Sequence, residues 1–183
     1  LFTSLDLPFD EPATHHCGSC SACIDICPTQ AIVEPYMLDA RRCIAYLTIE
    51  YKGIIPEELR RGIGNRVFGC DDCQLICPWN SFAKKASIED FNPRHGLDHI
   101  NLLDLWQWDE QTFLNCTEGS PIRRTGFQSF MRNIAIGLGN APYSAQIIAA
   151  LTQNRALHDE VVQVHIDWAI TEQNAKQHQI SAH

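Results

Sequence analysis

Cysteines stand at Cys17, Cys20, Cys23 and Cys27, with Pro28 directly behind the last, in the spacing C-x2-C-x2-C-x3-C-P. Four thiols this close together force the backbone to wrap around whatever they hold. Soft thiolates gathered in fours select iron–sulfur clusters or zinc. Structural zinc sites use C-x2-C pairs separated by longer gaps, so one contiguous run favours a cluster. Disulfide frameworks belong to small, oxidised, secreted chains. At 183 residues this chain does not need such staples, and no secretory leader is expected from its first residues.

The run resembles the ligand run of bacterial two-cluster ferredoxins, whose fourth Cys serves the other cluster. It therefore calls for a second set of ligands. Cys70, Cys73 and Cys77, followed by Pro78, give C-x2-C-x3-C-P, one cysteine short, with Val67 in the missing place. Cys43 is the natural replacement. An Asp a few residues before Cys-Ile commonly opens a ferredoxin's second run, and here Asp39 precedes Cys43-Ile44. Residues 44–69 are then an insertion splitting the second run after its first ligand. Two 4Fe-4S clusters follow, one held by Cys17, Cys20, Cys23 and Cys77, the other by Cys27, Cys43, Cys70 and Cys73. The ninth cysteine, Cys116, lies in an apolar run and reads as core.

Charge is unevenly spread. The net charge is −8, yet residues 41–132 hold twelve of the fourteen Lys and Arg, balanced by twelve acids. A globally acidic protein is a poor non-specific binder of nucleic acid. A local basic face on the middle segment competes with plain solvated charge as the reading. No apolar run approaches the roughly 20 residues of a membrane helix, so no membrane partner is expected, and a cytoplasmic monomer is.

The expected fold class is α+β: a bacterial-type two-cluster ferredoxin module followed by an all-α, HEAT-like helical domain. Residues 1–14 read as a linker from an upstream domain, 15–95 as the two-cluster module and 96–183 as the helical domain. Ala31-Ile32-Val33 and Tyr36-Met37-Leu38 suit a hairpin. Tyr46 to Tyr51, rich in β formers, suits a strand, and Pro56 opens a helix. Residues 99–116 suggest a buried helical connector. Ser120-Pro121 opens a helix through Phe127, Phe130, Ile134 and Leu138, stopped by Gly139-Asn140. Pro142 opens a second helix, and a third covers about 158–173. Short helices joined by tight turns resemble stacked helical-repeat hairpins, although no internal repeat stands out.

A two-cluster module is a wire for single electrons. An insertion at one cluster and about 105 residues beyond the last ligand should bring that wire an acceptor, a substrate or both. No Gly-rich dinucleotide fingerprint or P-loop is visible, and no catalytic residue is assigned within this chain. Arg123 and Arg124 fall in the first turns of the expected helix, where cations oppose the macrodipole. Such a placement suggests a ligand, with a structural role an equal alternative, and phosphate suits both the guanidinium fork and the helix N-terminus. His15 and His16 suit capping or surface roles, Lys84 and Lys85 surface charge, and Trp79 shielding of a cluster from water.

Taken together, the split second run, Cys43-Ile44-Ala45-Tyr46-Leu47-Thr48-Ile49, Lys52-Gly53, Cys70-Asp71-Asp72-Cys73-Gln74-Leu75-Ile76-Cys77-Pro78-Trp79-Asn80, Arg123-Arg124, Phe127, Arg132-Asn133, Ala135 and Leu138-Gly139-Asn140 resemble the epoxyqueuosine reductases. The resemblance implies a cobalamin-binding domain ahead of the ferredoxin module and a helical-repeat domain behind it. It implies reduction of the epoxide of epoxyqueuosine to the alkene of queuosine, at the wobble position of certain tRNAs. The clusters then feed electrons to cobalamin, drawn from a donor such as a flavodoxin or ferredoxin system. Carried onto this sequence, it places cobalamin contacts at Ala45, Cys70 and Asp71, and contacts to a tRNA anticodon stem-loop at Lys52, Arg123, Arg124 and Arg132. The family's general acid and most of its cobalamin pocket lie upstream, so this half alone is expected to be inactive. The alternatives are a free-standing two-cluster electron carrier and a reductive dehalogenase relative. The latter needs no phosphate-binding surface.

Overall fold

In the computed structural model, residues 2–14 and 17–181 are described, and His15 and His16 lie outside them. Residues 2–14 run without regular structure, exposing Phe2, Leu5, Leu7 and Phe9. The first cysteine run leads into helix α1 (Ala22–Ile26), which ends at Cys27. Strands β1 (Ile32–Glu34) and β2 (Met37–Leu38) then pair antiparallel, Ile32 opposite Leu38, as the expected hairpin. Asp39 accepts a hydrogen bond from the Arg41 backbone N–H and so caps a 3-10 turn (Ala40–Arg42) that delivers Cys43.

The insertion departs from expectation. Helix α2 (Ile44–Ile49) replaces the strand expected over Tyr46 to Tyr51. Ile44, Leu47 and Thr48 are its buried residues, at the i, i+3, i+4 spacing of one helical face. Burial of that face outweighs a β propensity that is weak and depends on context. Helix α3 (Glu57–Ile63) follows Pro56, with Glu57 and Glu58 in its first turn and Arg60 and Arg61 in its last, matching the macrodipole at both ends. It stops at Gly64, whose φ of +63° suits glycine. The chain returns through Cys70 into the short helix α4 (Asp72–Leu75), and Cys77 leads into a 3-10 turn (Pro78–Phe82).

The apolar connector forms two helices, α5 (Leu102–Trp106) and α6 (Glu110–Cys116), capped by the side chains of Asn101 and Asp109. Ser120-Pro121 opens a 3-10 turn (Pro121–Thr125) rather than the expected long helix. Gly126, at φ +75°, breaks the backbone before α7 (Phe127–Asn140) begins. Helices α8 (Ala145–Asn154) and α9 (Glu160–Ser181) complete the chain. Helices α7 and α9 pack closely at Gly139, where an added Cβ would come within 2.9 Å of the Ala169 backbone.

One continuous core joins the insertion to the helices. Ile44, Leu47, Ile55, Leu59 and Ile63 pack in the same cluster as Trp106, Phe113, Phe130, Ile134, Leu138 and Ile166. Packing therefore crosses the expected boundary at residue 95: the insertion belongs to the helical core, and the cysteine loops sit on its flank.

Candidate metal centre

The eight paired-run cysteines line two cavities. One, of about 170 Å³, is walled by Cys17, Cys20, Cys23 and Cys77 together with Pro78 and Trp79. The other, of about 300 Å³, is lined by Cys23, Cys27, Cys43, Cys70 and Cys73, with Ala31, Ile32, Ile44 and Leu38 among its apolar lining. Cys23 touches both, so the two cavities share a wall. Cys116 lines neither and lies half-buried at the end of α6, outside the buried core that its apolar run suggests.

The donor chemistry fits iron–sulfur clusters. Each cavity is ringed by soft sulfur donors. Among the described residues no three His, Cys, Asp or Glu side chains converge closely enough to hold one metal ion, whereas thiols spread around a void suit a polynuclear group. The loop after Cys27 supplies a further fit: the Ala31 N–H donates to Cys27 Sγ at 3.2 Å. Burial alone would raise the Cys27 thiol, but the backbone N–H groups of Ala31 and Thr29 outweigh it and the net shift is downward, toward thiolate. Burial pushes Cys70 and Cys73 upward, and for Cys73 the neighbouring sulfurs of Cys70, Cys43 and Cys23 add to the rise. These sulfurs line one cavity, and a cationic iron core would offset the repulsion among them as thiolates.

The two ends of the insertion are held together by a short network. Thr48, fully buried in α2, donates its hydroxyl to the Ile44 carbonyl at 2.7 Å and accepts from the Gly69 N–H at 2.9 Å. Asn133 of α7 donates to the Thr48 and Val67 carbonyls, both at 2.8 Å. Arg66 pairs with Asp72 across the Cys70 loop. None of these roles was legible from residue type. Thr48 and Asn133 both fall in stretches that carry the family resemblance, but nothing in those stretches says that the two side chains meet.

The expected cobalamin and tRNA positions are dispersed. Ala45 is half-buried on α2, Cys70 lines the larger cavity, and Asp71 is exposed, accepting from the Gln74 side chain at 2.8 Å. Arg123 and Arg124 are both exposed, in the last turn of the 3-10 segment rather than the first turns of a helix, and Arg124 pairs with Glu50 at 2.7 Å. The macrodipole argument for a phosphate there falls away, because Gly126 separates the pair from α7. Lys52 donates to the carbonyls of Ile49, Arg124 and Thr125, the last at 2.6 Å, and so ties the insertion to that same turn.

Arg132 corrects the expectation most directly. It is fully buried and donates to the carbonyls of Leu47, Tyr51 and Gly53, and to the Asn133 side chain. Burial lowers its pKa to about 10, which leaves it charged at neutral pH. A guanidinium with its donors spent on backbone carbonyls inside the core does not reach a tRNA phosphate.

Residues 16–80 match a family described as a 4Fe-4S double cluster binding domain. The chain is 58% identical over 172 residues to the epoxyqueuosine reductase of Xanthomonas campestris, covering 94% of this chain and 48% of that protein. The chain is a homologue of the epoxyqueuosine reductases. It is 53% identical over 173 residues to the Escherichia coli epoxyqueuosine reductase, covering 94% of this chain and 45% of the relative. Its structure superposes on the Bacillus subtilis epoxyqueuosine reductase with a TM-score of 0.80 at 32% identity, covering 91% of this chain and 44% of the other. It superposes with a TM-score of 0.79, again at 32% identity, on a crystal structure of an epoxyqueuosine reductase with an epoxyqueuosine-modified tRNA-Tyr stem loop, covering 89% of this chain and 43% of that one. The chain thus spans about half the length of the relatives it matches.

Proposed function

We propose that this chain is the electron-delivering and tRNA-facing portion of an epoxyqueuosine reductase, an oxidoreductase that converts epoxyqueuosine to queuosine in tRNA. The observation that carries the reading is that eight thiols line two adjoining cavities, Cys17, Cys20 and Cys77 the smaller, Cys27, Cys43, Cys70 and Cys73 the larger, and Cys23 both. Cys17, Cys20, Cys23 and Cys77 would hold one 4Fe-4S cluster, and Cys27, Cys43, Cys70 and Cys73 the other. When bound, such clusters supply one-electron transfer.

The chain's own residues then have defined tasks. The N–H groups around Cys27 stabilise its thiolate, and the apolar walls at Ala31, Ile32, Ile44 and Leu38 limit water at the larger cavity. Trp79 walls the smaller cavity from solvent on one side. The small side chain of Ala45, two residues beyond Cys43, and the Cys70-Asp71 backbone would receive cobalamin, with most of its pocket and the general acid supplied from outside these residues.

Arg123 and Arg124 would meet the phosphates of the anticodon stem-loop, since phosphate contacts call for accessible cations, while Lys52, its ammonium bonded to the Ile49, Arg124 and Thr125 carbonyls, would steady the turn that carries them. Residues 96–183 would act as a HEAT-like domain behind residues 15–95, with residues 1–14 as the link to the upstream half. On this reading the protein is a cytoplasmic monomer that takes electrons from a flavodoxin or ferredoxin system, and these residues alone do not turn over.

Anaerobic reconstitution tests the proposal. The unaltered protein should bind roughly eight irons, two clusters of four, and Cys43→Ala should lose about half. About four irons in the unaltered protein, or a Cys43→Ala variant with both clusters intact, would overturn it. A reconstituted protein with no affinity for an epoxyqueuosine-bearing stem-loop would favour the free-standing electron carrier instead.

A further inference from the structure

We propose that Thr48 is a positioning residue for the second cluster, closing the gap that the insertion opens between Cys43 and Cys70. The inference rests on the ligand assignment above. In an unbroken run, neighbouring ligands are held near one another by the chain itself. Here 26 residues, 44–69, separate two thiols that line one cavity. Loop closure over such a length leaves their separation to noncovalent contacts.

Thr48 supplies the contact. Cys43 is the residue that caps α2, so the position of that helix sets the position of Cys43. Gly69 directly precedes Cys70 and has a φ of +76°. The Thr48 hydroxyl accepts from the Gly69 N–H at 2.9 Å while donating back into the first turn of α2 at Ile44. One buried oxygen therefore links the helix behind Cys43 to the residue ahead of Cys70. Asn133 reinforces the link from α7 by bridging the carbonyls of Thr48 and Val67. Without the hydroxyl, the Gly69 N–H loses its partner, and a donor left unpaired away from water is costly.

The test uses full-length protein carrying Thr48→Val, Thr48→Ser or Cys43→Ser, reconstituted anaerobically. Iron release to a chelator and the midpoint potential of each cluster are measured. Thr48→Val should release about half of its iron roughly tenfold faster than the unaltered protein, a factor equivalent to about 1.4 kcal/mol. It should also shift one potential, the same one that Cys43→Ser perturbs. Thr48→Ser, which keeps the hydroxyl, should behave as the unaltered protein. Unchanged release from both clusters, or equal acceleration of both without recovery in Thr48→Ser, overturns the inference. If Cys43→Ser disturbs neither cluster, the ligand assignment fails instead, so the two failures are distinct. Should Thr48→Val not fold, Thr48→Ala removes the same hydroxyl and is judged by the same outcomes.

Discussion

Arg132 donates to the carbonyl of Leu47 at 2.6 Å, joining the middle of α7 to the helix that follows Cys43, with both residues shut away from solvent. Bonds of this kind fasten the insertion, and the cysteine loops at its two ends, to the helical core. Helix α7 reaches across and satisfies backbone groups of the insertion that have no strand or long helix to pair them.

Replacing Arg132 should therefore cost stability. Arg132→Met keeps much of the volume but strands the carbonyls of Leu47, Tyr51 and Gly53. Unpaired buried acceptors cost about 1–3 kcal/mol each, and a loss of about 3 kcal/mol overall is expected. Urea denaturation of the two proteins measures it. A residue serving only tRNA would leave the midpoint unmoved.

Arg123→Ala and Arg124→Ala should behave oppositely. Both side chains are exposed, and the Arg124 to Glu50 pair is a surface contact of little energetic weight. Thermal stability should stay as it was, while stem-loop affinity falls and the dependence of binding on salt becomes shallower. Titrations of binding at several salt concentrations decide the matter.

Acid should loosen the junction of α9 with the insertion. His165 is buried, and burial depresses its pKa to about 4 from an ordinary 6.5. Its Nε2 accepts from the Ile55 N–H at 3.1 Å, and its Nδ1 pairs with the Val161 carbonyl, so the ring is neutral in the fold. The unfolded chain takes up the proton first as pH falls. The contribution to stability is complete above about pH 6.5 and is lost on descent toward pH 4, at most about 3 kcal/mol. His165→Gln should flatten that part of a stability profile measured by denaturant titration across this range.

Cys116→Ser provides a contrast with the eight cavity cysteines. Cys116 lines neither cavity, so the variant should reconstitute with the same iron content and the same two potentials. Iron analysis and a redox titration check it.

The gathering of eight thiols around two cavities was legible because the spacing of the two cysteine runs already groups them. Cys43 could be picked out from Asp39 and the shortfall at Val67, with no fold in hand. The hairpin and α3 were legible for the same reason, since turn residues, Pro56 and the first-turn acids act locally. What sequence concealed was set by distant packing. Tyr46 to Ile49 became helix because Ile44 and Leu47 join the core cluster and the Thr48 carbonyl accepts from Asn133 of α7. Arg132 resembles any basic residue until its three carbonyl partners are seen. Arg123 and Arg124 were assigned to a helix because one glycine, Gly126, carries the break that separates them from it.

The shared core of insertion and helices has a practical corollary. Anyone wishing to excise the cysteine loops as a miniature redox module would strip away the scaffold that Ile55, Leu59 and Ile63 lean on. A shortened version would have to carry the tail with it, or be given a new floor of greasy side chains to rest upon.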